Sequence, residues 1–196
     1  MTTPLAPFST RTGTQGMVNA ADQLAALAGH SMLGRGGTAA DAAVATAAAM
    51  AVVGPHLCGL GGDMLAMVSA PGAPPIALLA VGHAGAGADA GAMRAEGMRV
   101  MALRHDVRSV PVPGAVWGWL ALHSRFGRLP LDEVLAPAVA LADEGFAASI
   151  MLSLASHLVA GRPGTEELCP DGPLDLHAVV RLPGIARTLR AIAAHG

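Results

Sequence analysis

Apolar positions in this chain recur mainly at helical spacing, and glycine or proline interrupts them at intervals. From Val18, "VNAADQLAALAG" spaces Ala, Leu and Val three and four apart and meets Gly29, a residue that accepts the backbone of a helix end, so a first helix of modest length is predicted there. In "GRGGTAADAAVATAAAMAVVGP", Thr38 stands three residues ahead of Asp41. Its hydroxyl can cap free backbone amides, while the carboxylate favours the positive end of the helix dipole. A second helix is predicted from near Thr38 to just before Gly54-Pro55, apolar nearly all round and therefore buried on most sides. "MLAMVSA" and "PIALLAV" flank the turn-forming "PGAP" and predict paired strands, a hairpin within a buried sheet.

The second half of the chain is helical in pattern. "ADAGAMRAEGM" suits a short helix, and "VPVPGAVWGWLALHSRFG" opens with proline and closes on Gly127. "PLDEVLAPAVALADEGF" places Asp132 and Glu133 in an opening turn and Gly145 at the end; "ASIMLSLASHLVAG" and "LPGIARTLRAIAAHG" supply two more helices. Residues 1–15, rich in Thr, Ser and Pro, read as a flexible arm, and 16–196 as the folded part. Helices around at least one hairpin make a mixed α/β or α+β domain. Two strands alone are marginal, so either helices cover the hairpin or further strands belong to a part not present.

Composition narrows this picture. In 196 residues the apolar share is 53% but the aromatic share only 3%, with no tyrosine, so the core must be built from Ala, Val, Leu and Met. All twelve basic residues are arginines and fourteen are acidic, a formal charge of −2 that gives no electrostatic case for nucleic acid or an anionic membrane. The longest apolar stretch falls short of the roughly 18 residues of a membrane span, and the N-terminus lacks the pattern of a secretory signal, so a cytoplasmic location is expected. Cys58 and Cys169 have no CxxC spacing and read as two buried or free thiols.

Candidate chemistry is sparse. "HLCGLGGDML" places Gly59, Gly61 and Gly62 ahead of Asp63, but between a helix and a strand, the reverse of nucleotide-binding order, and without the Lys-Ser/Thr of a P-loop. Asp63 would repel a phosphate, so a tight turn that brings the backbone close to a neighbour or a small ligand is the better reading. Eight histidines include no HExxH and no pair at i, i+4 on one helix, which argues against a metal site. Ser109 and Ser149 lack an identifiable base, and Asp132-Glu133 and Asp143-Glu144 read as helix-surface charges. Removal of Met1 would expose Thr2, whose amine can serve its own hydroxyl as base, but the arm around it looks unstructured.

Together, "GMVNAADQLAALAG", "GRGGTAADAAVATAAAMAVVGPHLCGLGGDML", "VPVPGAVWGWLALHSRFGRLPLDEVLAPAVALADEGFAAS" and "RLPGIARTLRAIAAHG" resemble the gamma-glutamyltranspeptidase family, in the same order. Gly36 to Ala45 and the Pro-His, Gly-x-Gly-Gly loop are the most specific elements. The resemblance implies an N-terminal-nucleophile hydrolase fold, two stacked sheets between helical layers (αββα), here in part. It also implies a precursor that cleaves itself into a large and a small subunit. The threonine that opens the small subunit attacks a gamma-glutamyl amide with its own amine as base, and the acyl-enzyme passes to water or to an acceptor amine. No metal or organic cofactor is implied.

No Thr-Thr-His motif of the small subunit occurs here, so the chain corresponds to the front of the large subunit and is expected to be catalytically incomplete. Its expected partners are a small-molecule gamma-glutamyl or acyl-amide substrate and the missing small-subunit portion. In the family an arginine after the second strand grips the glutamyl carboxylate; the local "LLAVGHAGAGA" places His83 at that position. Imidazole has at most one donor on each nitrogen where guanidinium offers a charged fork, so a related acylase specificity or a non-catalytic remnant would each account for the change.

Overall fold

The computed structural model describes residues 12–101 and 106–196. Thr2 and most of the arm therefore lie outside the described residues. In chain order the elements are α1 (Gln23–Gly34), α2 (Ala39–Val53), β1 (Met64–Val68), β2 (Ile76–Ala80), α3 (Ala90–Ala95), a 3-10 turn (Val107–Ser109), α4 (Ala115–Phe126), α5 (Leu131–Glu144), β3 (Phe146–Ala147), α6 (Ile150–Ser156), β4 (Val179–Val180) and α7 (Pro183–His195). The architecture is α+β and rich in helix.

Helix α2 is central, packed on α1, α4 and α5, and α5 packs in turn on α7. Its Val44, Ala45, Ala48, Ala49 and Val52 are wholly buried, which small and β-branched side chains allow at close helix approach. The predicted cap is present in full: Asp41 N–H donates to Thr38 Oγ1, and Thr38 N–H donates to Asp41 Oδ2 at 2.7 Å.

Helix α1 departs from expectation at both ends. Asp22 caps it, accepting from Leu24 N–H at 2.7 Å, so the turn from Val18 to Asp22 is not helical. At the other end the helix runs through Gly29 to Gly34. A Cβ on Gly29 would lie 2.0 Å from Thr46 Oγ1 and 2.7 Å from the Ala42 carbonyl. This glycine marks the closest approach of α1 to α2 rather than a helix end.

Asp41 does more than cap. It is fully buried, and its carboxylate accepts the backbone N–H of Arg128 at 3.0 Å and of Leu129 at 3.4 Å, joining the start of α2 to the α4–α5 connection. His123 Nε2 stands 3.7 Å from it and 2.8 Å from the Leu129 carbonyl. Burial pushes the Asp41 carboxyl upward, but hydrogen bonds from Thr38, Arg128 and Leu129 outweigh this and hold it below the usual carboxylate range.

Strands β1 and β2 pair antiparallel in the register Met64↔Ala80 through Val68↔Ile76. Met64, Val68 and Leu78 pack on the core, and the predicted hairpin is present. The predicted buried sheet is not: Leu65, Met67 and Leu79 on the other face are 68%, 77% and 69% exposed. Alternation sends every second side chain away from the helices, and no described element covers that side. A second pair, β3 with β4, is too short to register in the sequence pattern. Helix α6 is also shorter than its apolar run, since residues 157–161 form turns. Among the described residues no helix is long and apolar enough to cross a membrane.

Candidate functional site at the open end of the hairpin

Asp63 immediately precedes β1, and His83 follows β2 with Val81 and Gly82 between. Because Met64 pairs with Ala80, the glycine loop and His83 stand at the same end of the hairpin. The segment Val112–Ala115 ties them together. Val112 N–H donates to the His83 carbonyl at 2.9 Å, while Gly114 and Ala115 N–H both donate to the Gly62 carbonyl at 3.0 Å.

The start of α4 explains that last pair. Gly114 is its N-cap and offers no side chain, so the unpaired amides of the first turn need another acceptor. Gly62 supplies it from the main chain. The loop thus caps a helix, and it needs no phosphate to account for its shape. Gly62 itself is turned by an N–H bond to the Gly59 carbonyl at 3.1 Å.

This crossing is close enough to demand glycine. A Cβ on Gly114 would lie 2.1 Å from the Ala80 carbonyl, and one on Gly82, whose φ is +78°, 2.0 Å from the Val112 carbonyl. Gly59 and Gly61 differ. A Cβ on either would meet nothing within 4 Å, and neither has a left-handed backbone, so the packing of the described residues does not require glycine there.

Gly61, Gly62, Asp63 and His83 are exposed, and Gly59 is half-buried. In the segment before Val112, Arg108 bonds Asp106 and Glu96, each at 2.8 Å, which fixes the 3-10 turn against the end of α3. The Arg108 hydrogen bonds hold the Asp106 carboxyl below its usual range.

The remaining candidates have structural duties. Ser149 caps α6, accepting from Leu152 N–H at 3.2 Å, and Ser109 Oγ donates to the Asp106 carbonyl at 2.7 Å. Glu133 pairs with Arg35, and Asp143 with Arg190 at 2.6 Å, as helix-surface charges do. Cys58 is exposed and Cys169 buried, both as free thiols, and burial pushes the Cys169 thiol up. Among the described residues no three His, Cys, Asp or Glu side chains gather as a metal centre would need. Two features escaped the sequence reading. The backbone crossing of Gly82 with Gly114 joins segments 32 positions apart and leaves no local signal, whereas the hub role of Asp41 is partly announced by its place in the capping box.

The gamma-glutamyltranspeptidase family pattern matches residues 25–196. The oxamate amidohydrolase proenzyme of Klebsiella pneumoniae is 36% identical over 96% of this chain and 37% of its own length. Among solved structures, cephalosporin acylase from Bacillus halodurans superposes with a TM-score of 0.85 at 32% identity, covering 99% of this chain and 39% of that one. Helicobacter pylori gamma-glutamyltranspeptidase also superposes at 0.85, with 25% identity over 95% of this chain and 56% of that one. The chain spans little more than a third of the length of the curated relatives it matches along nearly all of its own. On the strength of these matches and of a fold shared with solved acylases and transpeptidases, this chain belongs to the gamma-glutamyltranspeptidase family.

Proposed function

We propose that these 196 residues form the front part of the large subunit of an amidohydrolase or acyltransferase, of the gamma-glutamyltransferase and glutathione hydrolase kind. It acts on gamma-glutamyl or related acyl amides, and turnover requires a segment carrying the nucleophilic threonine. The observation that carries this reading is the junction of Gly62, Val112–Ala115 and His83 at one end of the hairpin. It brings the glycine loop and His83, which aligns in this reading with the family's arginine, to one crossing, and this supports taking them as parts of one pocket wall.

In this reading Gly59, Gly61, Gly62 and Asp63 shape the wall and His83 lines the acyl-donor side. The threonine hydroxyl attacks the amide carbonyl while its own amine takes the proton, the amine product leaves, and water or an acceptor amine releases the acyl group. His83 substitutes a weaker carboxylate anchor for a guanidinium fork, which favours an acyl donor other than a gamma-glutamyl group. A non-catalytic partner module is the second reading, favoured by that same replacement.

The test is hydrolysis of a gamma-glutamyl anilide and of a simple acyl anilide by the chain alone and after addition of a chain bearing the threonine segment. No turnover alone and turnover on addition are expected, with His83→Arg shifting preference toward the gamma-glutamyl substrate. Turnover by the isolated chain that Thr2→Ala abolishes would overturn the reading. Failure of any threonine-bearing chain to restore activity, despite forming a complex, would favour the partner module.

A further inference from the structure

His56 has no role in acyl transfer as proposed above, yet it is the least satisfied polar side chain described. It is half-buried, and both ring nitrogens are shut off from solvent without a hydrogen-bond partner among the described residues. An imidazole carries at least one N–H in any tautomer, so a donor is left unmet. The ring lines a cleft of about 580 Å³ between the α2–β1 connection and α6. That volume lies in the range of small-molecule sites.

The cleft has one apolar wall and one charged edge. Leu152, Leu158, Val159 and Leu168 form the wall, and Arg162 stands at the edge. The hydroxyls nearby are committed: Ser156 Oγ donates to the Ser153 carbonyl at 2.6 Å and accepts from Leu174 N–H at 2.8 Å, and Thr165 Oγ1 donates to the Arg162 carbonyl at 2.7 Å. Arg162 spends only Nε, on the Leu158 carbonyl at 3.0 Å; its two terminal nitrogens have no partner among the described residues. A half-turn of the His56 ring about Cβ–Cγ exchanges each nitrogen with a ring carbon inside the same outline.

We propose that this cleft binds a carboxylic acid with an apolar body of phenylalkyl size. Its carboxylate takes the free edge of the Arg162 guanidinium and the N–H of the turned His56, and its body lies against the aliphatic wall. The site stands whether or not the acyl-transfer reading holds.

Calorimetric titration of the folded chain with 4-phenylbutyrate, and with 4-phenylbutanol as the neutral match, tests it. Saturable one-to-one binding of the acid is expected, at least tenfold weaker for the alcohol. Arg162→Met, a change at an exposed position, should weaken the acid tenfold or more while leaving the alcohol unchanged, and His56→Phe should weaken it similarly. Circular dichroism checks the fold of each variant. No saturable binding by the folded wild type, equal affinity for acid and alcohol, or wild-type affinity in folded Arg162→Met would each overturn the proposal.

Discussion

Helix α2 and the β1–β2 hairpin are adjacent in sequence and opposite in environment. Val44 and Val52 of α2 are wholly buried, while Met67 and Leu79 of the hairpin are 77% and 69% exposed, although all four are apolar. The helix has neighbours on nearly every side and a carboxylate that satisfies backbone groups from another part of the chain. The hairpin has a core on one face only. A two-stranded sheet contributes little by itself, so its stability is borrowed from α4 and from the Gly62 cap. The difference teaches that α2 is enclosed by its neighbours, whereas among the described residues the hairpin is covered on one face only.

The sharpest way to break the closed half is to remove Asp41. Asp41→Ala leaves the N–H groups of Thr38, Arg128 and Leu129 short of an acceptor in a buried setting, and about 3 kcal/mol should be lost in chemical denaturation. Because the folded pKa of Asp41 is depressed, its stabilisation is present above the unfolded carboxylate pKa of about 4 and is lost as pH falls through that value toward the folded one. Melting curves of wild type should fall more steeply over that window than those of Asp41→Asn.

A smaller and more local effect is expected at the crossing. Gly114→Ala puts a methyl group 2.1 Å from the Ala80 carbonyl, and repulsion should cost about 1–3 kcal/mol. The loss should appear as faster exchange of hairpin amides with little change in α2. Smallest in stability is the outer face: Met67→Glu with Leu79→Lys should alter the unfolding free energy by less than about 0.5 kcal/mol. It should nevertheless reduce self-association in sedimentation, since this is an apolar face open to another copy.

How legible this was in the sequence follows the same division. Helix α2 is readable because every cue is local: Thr38 and Asp41 form the cap, the apolar run has the right length, and Gly54-Pro55 stops it. The hairpin is readable from two short runs around "PGAP", but not its open face, because a strand pattern does not state what lies above and below it. Gly29 misleads because a packing glycine and a terminal glycine look alike until the partner helix is in place. At the candidate site the shape of the loop is legible and its partner is not, since the amides that Gly62 caps lie 52 and 53 positions further on. His56 gives no sequence signal of its unmet nitrogens.

Amide hydrogen exchange on the whole chain tests the contrast most directly. An enclosed α2 and a hairpin covered on one face predict that amides of α2 and α5 exchange through global unfolding, while those of β1 and β2 exchange at least about a hundredfold faster through local opening. Hairpin amides protected as strongly as those of α2 would contradict the account.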